Sequence, residues 1–358
     1  MSSFVNVFRL VVGIVPCATM LMMIRDRTLD GVGNTPLVRL VAKELEDVNA
    51  FAKAEYMNPT GSVKDRPAKH IIDSLLASGR IDRETLIVES SSGNFGIALA
   101  AATSRRGMRF RCIIDPRINA ANEMLMRSLG VDVVKVTELD HAGGYLLARI
   151  KAARETVATV PNSYWVNQYG NPLNAEAYAV TLAEELRDQL PTIDYAFVGV
   201  SSGGTITGVS QRLKEIYPNV RVVAVDTVGS VIFGGAPCPR WIPGIGASVV
   251  PDIIKEARID DVVMIDEATS VRSCHELWRE QHFLVGGSSG TAFAAMRRYF
   301  AGKSFKVPPV AVAIFADRGD RYADTIFNAA WCDKLFDGTL RRSVRPPPPP
   351  PAPPRAEG

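Results

Sequence analysis

Short apolar runs alternate with helix-length amphipathic stretches along most of this chain. Phe51–Glu55, Leu86–Glu89, Phe110–Ile114, Val131–Val136, Tyr195–Val200, Val220–Val225, Val262–Ile265 and Val310–Phe315 are rich in Val, Ile and Phe. Several are bounded by Gly, Pro, Asn or Asp, which predicts buried strands. Between them, Ala68–Ser78, Ile97–Arg105, Ala142–Ala158, Ala175–Gln189 and Ala268–Gln281 predict helices. This alternation predicts an α/β fold layered on mainly parallel sheets. The length suits two such sheets of four or so strands each.

The two ends depart from the pattern. Leu10–Ile24 is uncharged and apolar behind Arg9, like the h-region of a signal peptide, but no A-x-A site follows. It is short for a membrane span, which needs roughly 20 residues. Met20, Met22 and Met23 offer an alternative start of translation, so residues 1–26 read as an extension rather than an export signal. Pro346–Pro351 is an unbroken proline run, and residues 341–358 read as a disordered, polyproline-rich tail.

Composition narrows the function classes. The 358 residues are 47% hydrophobic and 22% charged, ordinary for a globular enzyme with two modest cores. A net charge of +3 is too small to argue for nucleic acid. The five cysteines, at 17, 112, 238, 274 and 332, form no CxxC, so no metal site is expected. Reduced thiols in a cytoplasmic protein are the simplest reading.

Four turns carry chemistry. In Asn58-Pro59-Thr60-Gly61-Ser62-Val63-Lys64-Asp65-Arg66, Pro59 and Gly61 make a turn and Ser62 is placed to cap the following helix. Lys64 then sits near a positive helix end with Arg66 beside it, which favours a neutral amine able to form a Schiff base. Glu89-Ser90-Ser91-Ser92-Gly93-Asn94-Phe95-Gly96 is a hydroxyl-rich strand-to-helix turn suited to a carboxylate, although any one serine there also reads as an ordinary N-cap. Ser201-Ser202-Gly203-Gly204-Thr205 lets backbone N–H groups approach a phosphate; neither a G-x-G-x-x-G fingerprint nor a Walker A motif is present. Gly286-Gly287-Ser288-Ser289-Gly290-Thr291 opens another helix, and a serine hydroxyl there can hydrogen-bond a pyridine nitrogen without protonating it.

In this order the four turns resemble the fold-type II pyridoxal 5'-phosphate (PLP) enzymes of the cysteine synthase and cystathionine β-synthase family. The resemblance runs from about Gly31 to about Tyr322. It implies two three-layer α/β/α domains, PLP as cofactor and a homodimer. The implied division is 27–165 for an N-terminal domain carrying the lysine and 166–340 for a C-terminal domain carrying the phosphate loop, with the chain crossing between them near the N-terminus. Lys64 matches the cofactor-holding lysine and Asn94 the partner of the cofactor's 3'-oxygen. Ser201, Ser202, Gly203, Gly204 and Thr205 match the phosphate loop, and Ser288 the residue facing the pyridine nitrogen. Ser91, Ser92, Asn94 and Gln168 match the substrate-carboxylate loop. Ile242-Pro243-Gly244-Ile245-Gly246 resembles the segment at the active-site mouth.

Departures point to one branch. Phe95 stands where cysteine synthases carry a small polar residue, the phosphate loop begins Ser-Ser, and Tyr169-Gly170 follows the glutamine. These features are similar to the N-(2-amino-2-carboxyethyl)-L-glutamate synthases, which supply the precursor of 2,3-diaminopropionate for siderophores. That likeness implies O-phospho-L-serine and L-glutamate as substrates, with Arg149, Tyr169 and Ser202 serving the second of them. The alternative is a cysteine synthase using O-acetylserine or O-phosphoserine with sulfide. A dehydratase or racemase fits the Gly203-Gly204-Thr205 loop less well, and a non-catalytic binding protein would have no use for an intact Lys64.

Overall fold

The computed structural model describes residues 28–139 and 144–336. The apolar N-terminal segment and the proline-rich tail lie outside these residues. Ten strands form two sheets. They are β1 (Leu37–Arg39), β2 (Asn49–Ala54), β3 (Leu86–Ser90), β4 (Phe110–Ile114), β5 (Asp132–Lys135), β6 (Ser163–Trp165), β7 (Tyr195–Gly199), β8 (Arg221–Thr227), β9 (Asp261–Ile265) and β10 (Val310–Phe315). The larger sheet has six strands in the order β1-β2-β10-β7-β8-β9, parallel except for the β1–β2 pair. The smaller sheet is wholly parallel, in the order β5-β4-β3-β6. The expected α/β architecture with parallel-dominated sheets is present, with one sheet larger than anticipated. The three-residue strands β1 and β6 are too short to show a periodicity.

Continuous apolar runs become central strands because both faces are covered. In β10, Ala311, Ala313 and Phe315 pack with Leu277 and Phe293 on one face. Val312 and Ile314 pack with Leu182, Ile206 and Leu213 on the other. The period of two thus sends alternate residues into separate cores. In the smaller sheet, Ile87 joins Ile71, Leu99 and Phe110 on one side, and Val88 joins Ile113 and Ala153 on the other. Strand β5 lies at the edge and is largely exposed, which its Val content did not reveal.

Helix starts follow local chemistry. Asp266 accepts from Thr269 N and opens Glu267–Gln281. Asn171 accepts from Leu173 N ahead of Pro172, so the helical stretch 172–189 starts three residues before the expected Ala175. Its middle turn, Tyr178–Ala183, is π-helical. The helix expected over Ala142–Ala158 is Leu146–Thr159. The N-terminal strands β1 and β2 belong to the sheet otherwise built from residues after 194, so the chain passes between the two sheets after β2 and again after β6.

Candidate active site

Lys64 and Ser288 come to one cavity from opposite ends of the chain. The Lys64 turn is pinned to the end of β10, where Val63 N donates to Ala316 O at 2.8 Å and Arg318 N donates to Gly61 O at 3.1 Å. Lys64 is itself the N-cap of the helix Asp65–Ala77. Ser62 does not cap that helix: it lies two residues before the N-cap, and its hydroxyl accepts from Lys64 N at 3.3 Å within the turn. Lys64, Asn94, Ser201, Ser202, Gly203, Thr205, Ser288 and Asp317 line the same cavity, with Gly244 of the mouth segment.

One end of the cavity is built by Gly203. Its φ of +89° is the left-handed conformation that turns β7 into the helix Gly204–Ile216. Gly204 lies just inside the helix, with Asn174 so close that a side chain would collide. Ser201 donates to Gly246 O at 3.1 Å, tying the loop to the mouth segment. The Ser202 hydroxyl is buried and has no partner, at the start of a thirteen-residue helix. An orphan donor beside free helix N–H groups is the donor set a phosphate requires.

The state of Lys64 has a different cause from the expected one. Desolvation by the surrounding protein lowers its amine to about 8, and the nearby Asp317 carboxylate opposes that fall. Lys64 still meets the open space of the cavity, so its amine is both neutralisable and reachable. Arg66 does not depress it. The Arg66 guanidinium points away and makes bonds of 2.7 Å to both oxygens of Glu55, and others of 2.7 and 2.8 Å to Glu185. Lys53 completes this set with 2.8 Å to Glu185, so two cations face two anions and their charges cancel near Lys64.

The serine turn splits its tasks. Ser91 Oγ accepts from Gly96 N at 3.0 Å, satisfying a first-turn N–H of the helix Asn94–Ser104, whose N-cap is Gly93. Ser92 Oγ donates to Asp115 Oδ2 and accepts from Arg149 Nη1, both at 2.9 Å. Gln168 Nε2 donates to Ser90 O at 3.2 Å, holding the base of the turn. Phe95 is buried in the core of the smaller sheet, so its bulk does not fill the substrate side.

Arg149 reaches this turn from the helix Leu146–Thr159. Its side chain is 13% exposed, and its Nε lies 3.3 Å from Asp115 Oδ2. Burial pushes the Tyr169 phenol up, and the Arg149 charge opposes that shift, which sets the two side chains within electrostatic reach. Burial also pushes Glu89, beneath the same turn, up to about 8 against the pull of two backbone N–H groups and Arg149. Ser92, Arg149 and Asp115 therefore form one cluster, with Tyr169 within electrostatic reach of Arg149, while Ser202 lines the neighbouring cavity. Asp115 and Asp317 escaped the sequence reading, because an Asp after a strand is common and neither belongs to a glycine-rich turn.

A profile described as "Pyridoxal-phosphate dependent enzyme" matches residues 28–317, most of the chain. The chain belongs to the pyridoxal-phosphate dependent enzyme family. The enzyme is similar to the O-acetylserine dependent cystathionine β-synthase from Helicobacter pylori, at 31% identity and TM-score 0.78, covering 85% of this chain and 99% of that one. It is similar to O-ureido-L-serine synthase at 29% identity and TM-score 0.79, covering 89% and 98% of the two chains. A hydrogen sulfide-producing enzyme from Fusobacterium nucleatum matches at 27% identity and TM-score 0.78, over 84% and 100%. The enzyme is thus of the cysteine synthase and cystathionine β-synthase type, with fold-type II architecture.

The residues present fit PLP. The partnerless Ser202 hydroxyl at the Gly204 helix start suits the phosphate, the desolvated Lys64 amine suits covalent attachment, and the Ser288 hydroxyl suits the ring nitrogen. Among the described residues no cluster of His, Cys, Asp and Glu could hold a metal ion, and no helix is long and apolar enough to cross a membrane. Of the described cysteines, Cys112, Cys274 and Cys332 are buried and Cys238 is exposed, all as free thiols.

Proposed function

We propose that the enzyme joins the β-carbon of O-phospho-L-serine to the amine of L-glutamate, releasing phosphate and N-(2-amino-2-carboxyethyl)-L-glutamate. The observation that carries this reading is Arg149, whose side chain is 13% exposed and touches the serine turn through Ser92 and Asp115. Glutamate brings two carboxylates to the site, and a planar guanidinium binds a carboxylate in a fork. A nucleophile as small as sulfide has no need of such a group.

Bound PLP supplies an electron sink that makes the α-proton of the first substrate acidic. Lys64 is the base within the cavity; its lowered amine is available to take that proton and later return it. The Gly204 helix start, with the Ser202 and Thr205 hydroxyls, would hold the cofactor phosphate. Ser288 would hydrogen-bond the ring nitrogen without donating a full proton, which favours loss of a β-substituent over amino transfer. Ser92 and Asn94 would orient the first substrate's carboxylate, with Gln168 supporting the turn from below. A homodimer is part of the same proposal.

One observation favours cysteine synthase chemistry instead. Asp115 already pairs with Arg149, so the guanidinium charge is partly answered without a substrate. The similar Helicobacter pylori structure is of an O-acetylserine dependent cystathionine β-synthase, which supports only O-acetylserine as the first substrate in that reading. Phosphate release from O-phospho-L-serine by the PLP-loaded protein decides between them. Release that requires L-glutamate and yields the joined amino acid supports the proposal. Release driven by sulfide and indifferent to glutamate refutes it.

A further inference from the structure

Asp317 is a buried carboxylate in the cavity that no step above uses. It is 2% exposed. The chain at the end of β10 pairs with the Lys64 turn through the backbone bridge between Ser62 and Asp317, and Lys64 and Asp317 line the same cavity. Its Oδ2 accepts from Asn94 Nδ2 at 2.7 Å and from the Tyr322 hydroxyl. Its Oδ1 is buried with no partner. That oxygen occupies the space above Gly286, where a Cβ would stand 2.1 Å away, so the glycine that precedes the Ser288 helix is required by this carboxylate.

An unpartnered carboxylate oxygen in the interior is costly, and a neutral amide of the same shape would remove the charge. The compensating groups are a short list. Lys64 faces Asp317 from its turn, Asn94 from the helix Asn94–Ser104, Arg321 and Tyr322 from the following turn, and the uncharged Cys274 thiol from the helix Glu267–Gln281. Arg321 is already engaged with Asn94 Oδ1 and Thr60 O. Asn94 is thereby held from both ends, its amide nitrogen by Asp317 and its oxygen by Arg321. Of the two cations that face Asp317, Arg321 keeps its charge and is held by Asn94 and Thr60, whereas Lys64 is the one whose amine, lowered to about 8, gains and loses a proton.

We propose that Asp317 is a positioning residue of the active site, whose carboxylate stabilises the positive charge that Lys64 carries after taking up a proton and holds the Asn94 side chain in one orientation. A base in a desolvated cavity is easily neutral but a poor proton acceptor. A fixed anion beside it restores proton affinity without occupying the amine. The inference rests on the lysine chemistry of the PLP family and holds for either nucleophile.

The test uses the full-length, PLP-loaded protein and the variants Asp317→Asn and Asp317→Ser. The visible absorbance of the lysine-bound cofactor is titrated with pH in the absence of substrate. Both uncharged side chains are expected to lower the pH of the protonated-to-deprotonated transition by about one unit or more, the range for loss of one close opposite charge. With the substrate pair that supports turnover, kcat falls at least about tenfold and KM changes less, since a one-unit shift corresponds to a tenfold change in proton affinity. A transition unmoved in both variants overturns the proposal. So does a shift confined to Asp317→Ser, because the nearly isosteric Asn would then show that shape rather than charge matters. Failure of the glutamate reading alters only which nucleophile supports turnover and leaves the absorbance titration unchanged.

Discussion

Replacing Arg66 by Met tests whether buried charge anchors the turn that carries Lys64. Arg66 and Glu55 have side chains with no exposure at all, joined by two bonds of 2.7 Å. Removing the guanidinium leaves Glu55 with only Thr35 and Asn58 as donors, and leaves Glu185 with Lys53 and backbone N–H groups. Breaking a fully buried pair by deleting one partner costs about 3–5 kcal/mol, chiefly because the remaining charge is uncompensated. Arg66→Met should therefore lose stability in that range. The double variant Arg66→Met/Glu55→Gln should recover roughly 2 kcal/mol or more, since it removes the stranded charge. A Gln amide can still accept from Asn58 and donate to the Thr35 hydroxyl. The assay is urea unfolding followed by tryptophan fluorescence, without and with PLP, at two salt concentrations. Because the pair is buried, salt should change the difference little. A loss below about 1 kcal/mol, the range of a surface pair, would refute the reasoning. So would a double variant no more stable than the single one.

Other outcomes follow from the same structure. Burial tends to raise the Glu185 carboxyl, but Arg66 and Lys53 override it and hold it at about 2. Its folded value lies below the ordinary 4.5, so its contribution is present above that pH and is lost as pH falls toward 2, which acid unfolding curves of wild type and Glu185→Gln should show. The rate at which PLP attaches to the apoprotein should rise with pH and level off above about 8, as Lys64 becomes neutral; a profile flat across this range would contradict the assignment. Ser202→Ala should weaken PLP binding about ten- to hundredfold in equilibrium dialysis, the worth of one hydrogen bond to a charged group. Arg149→Ala should lower kcat/KM for glutamate by a similar factor of about ten to a hundred while leaving Lys64-dependent PLP attachment intact; full glutamate activity in this variant would sink the dicarboxylate reading.

The legible parts of the site were its turns. Gly203-Gly204-Thr205 and Gly286-Gly287-Ser288 announce close backbone approach, because only glycine tolerates the left-handed φ of Gly203 or the collision that a side chain at Gly286 would cause. The place of Lys64, in a turn ahead of a helix, was legible from Pro59, Gly61 and the helix that follows. The reason for its lowered basicity was not. Neighbours in sequence suggested Arg66, but a helix start turns residues 64 and 66 to different sides, and Arg66 faces Glu55 and Glu185 instead. Ser91 and Ser92 are adjacent and chemically identical, yet one accepts from Gly96 N in the first turn of a helix and the other meets Arg149 and Asp115. No local pattern distinguishes them.

By itself, the sequence determined the layered α/β architecture. Runs such as Val310–Phe315 and Leu86–Glu89 can bury both faces only as central strands, and hydrophobic burial is a property of each residue's own side chain. It also determined where glycine- and serine-rich turns join strands to helices, as at Ser201–Thr205. Tertiary structure alone decided which charges meet. Electrostatic effects depend on distance and on the exclusion of water, and the pairs that matter here join Lys64 to Asp317, Asn94 to Arg321, and Arg149 to Ser92 across long stretches of chain. Those distances are set by how two sheets are threaded by one chain, with β1 and β2 returned to the sheet of β10. The same folding that buries Lys64 brings Asp317 beside it.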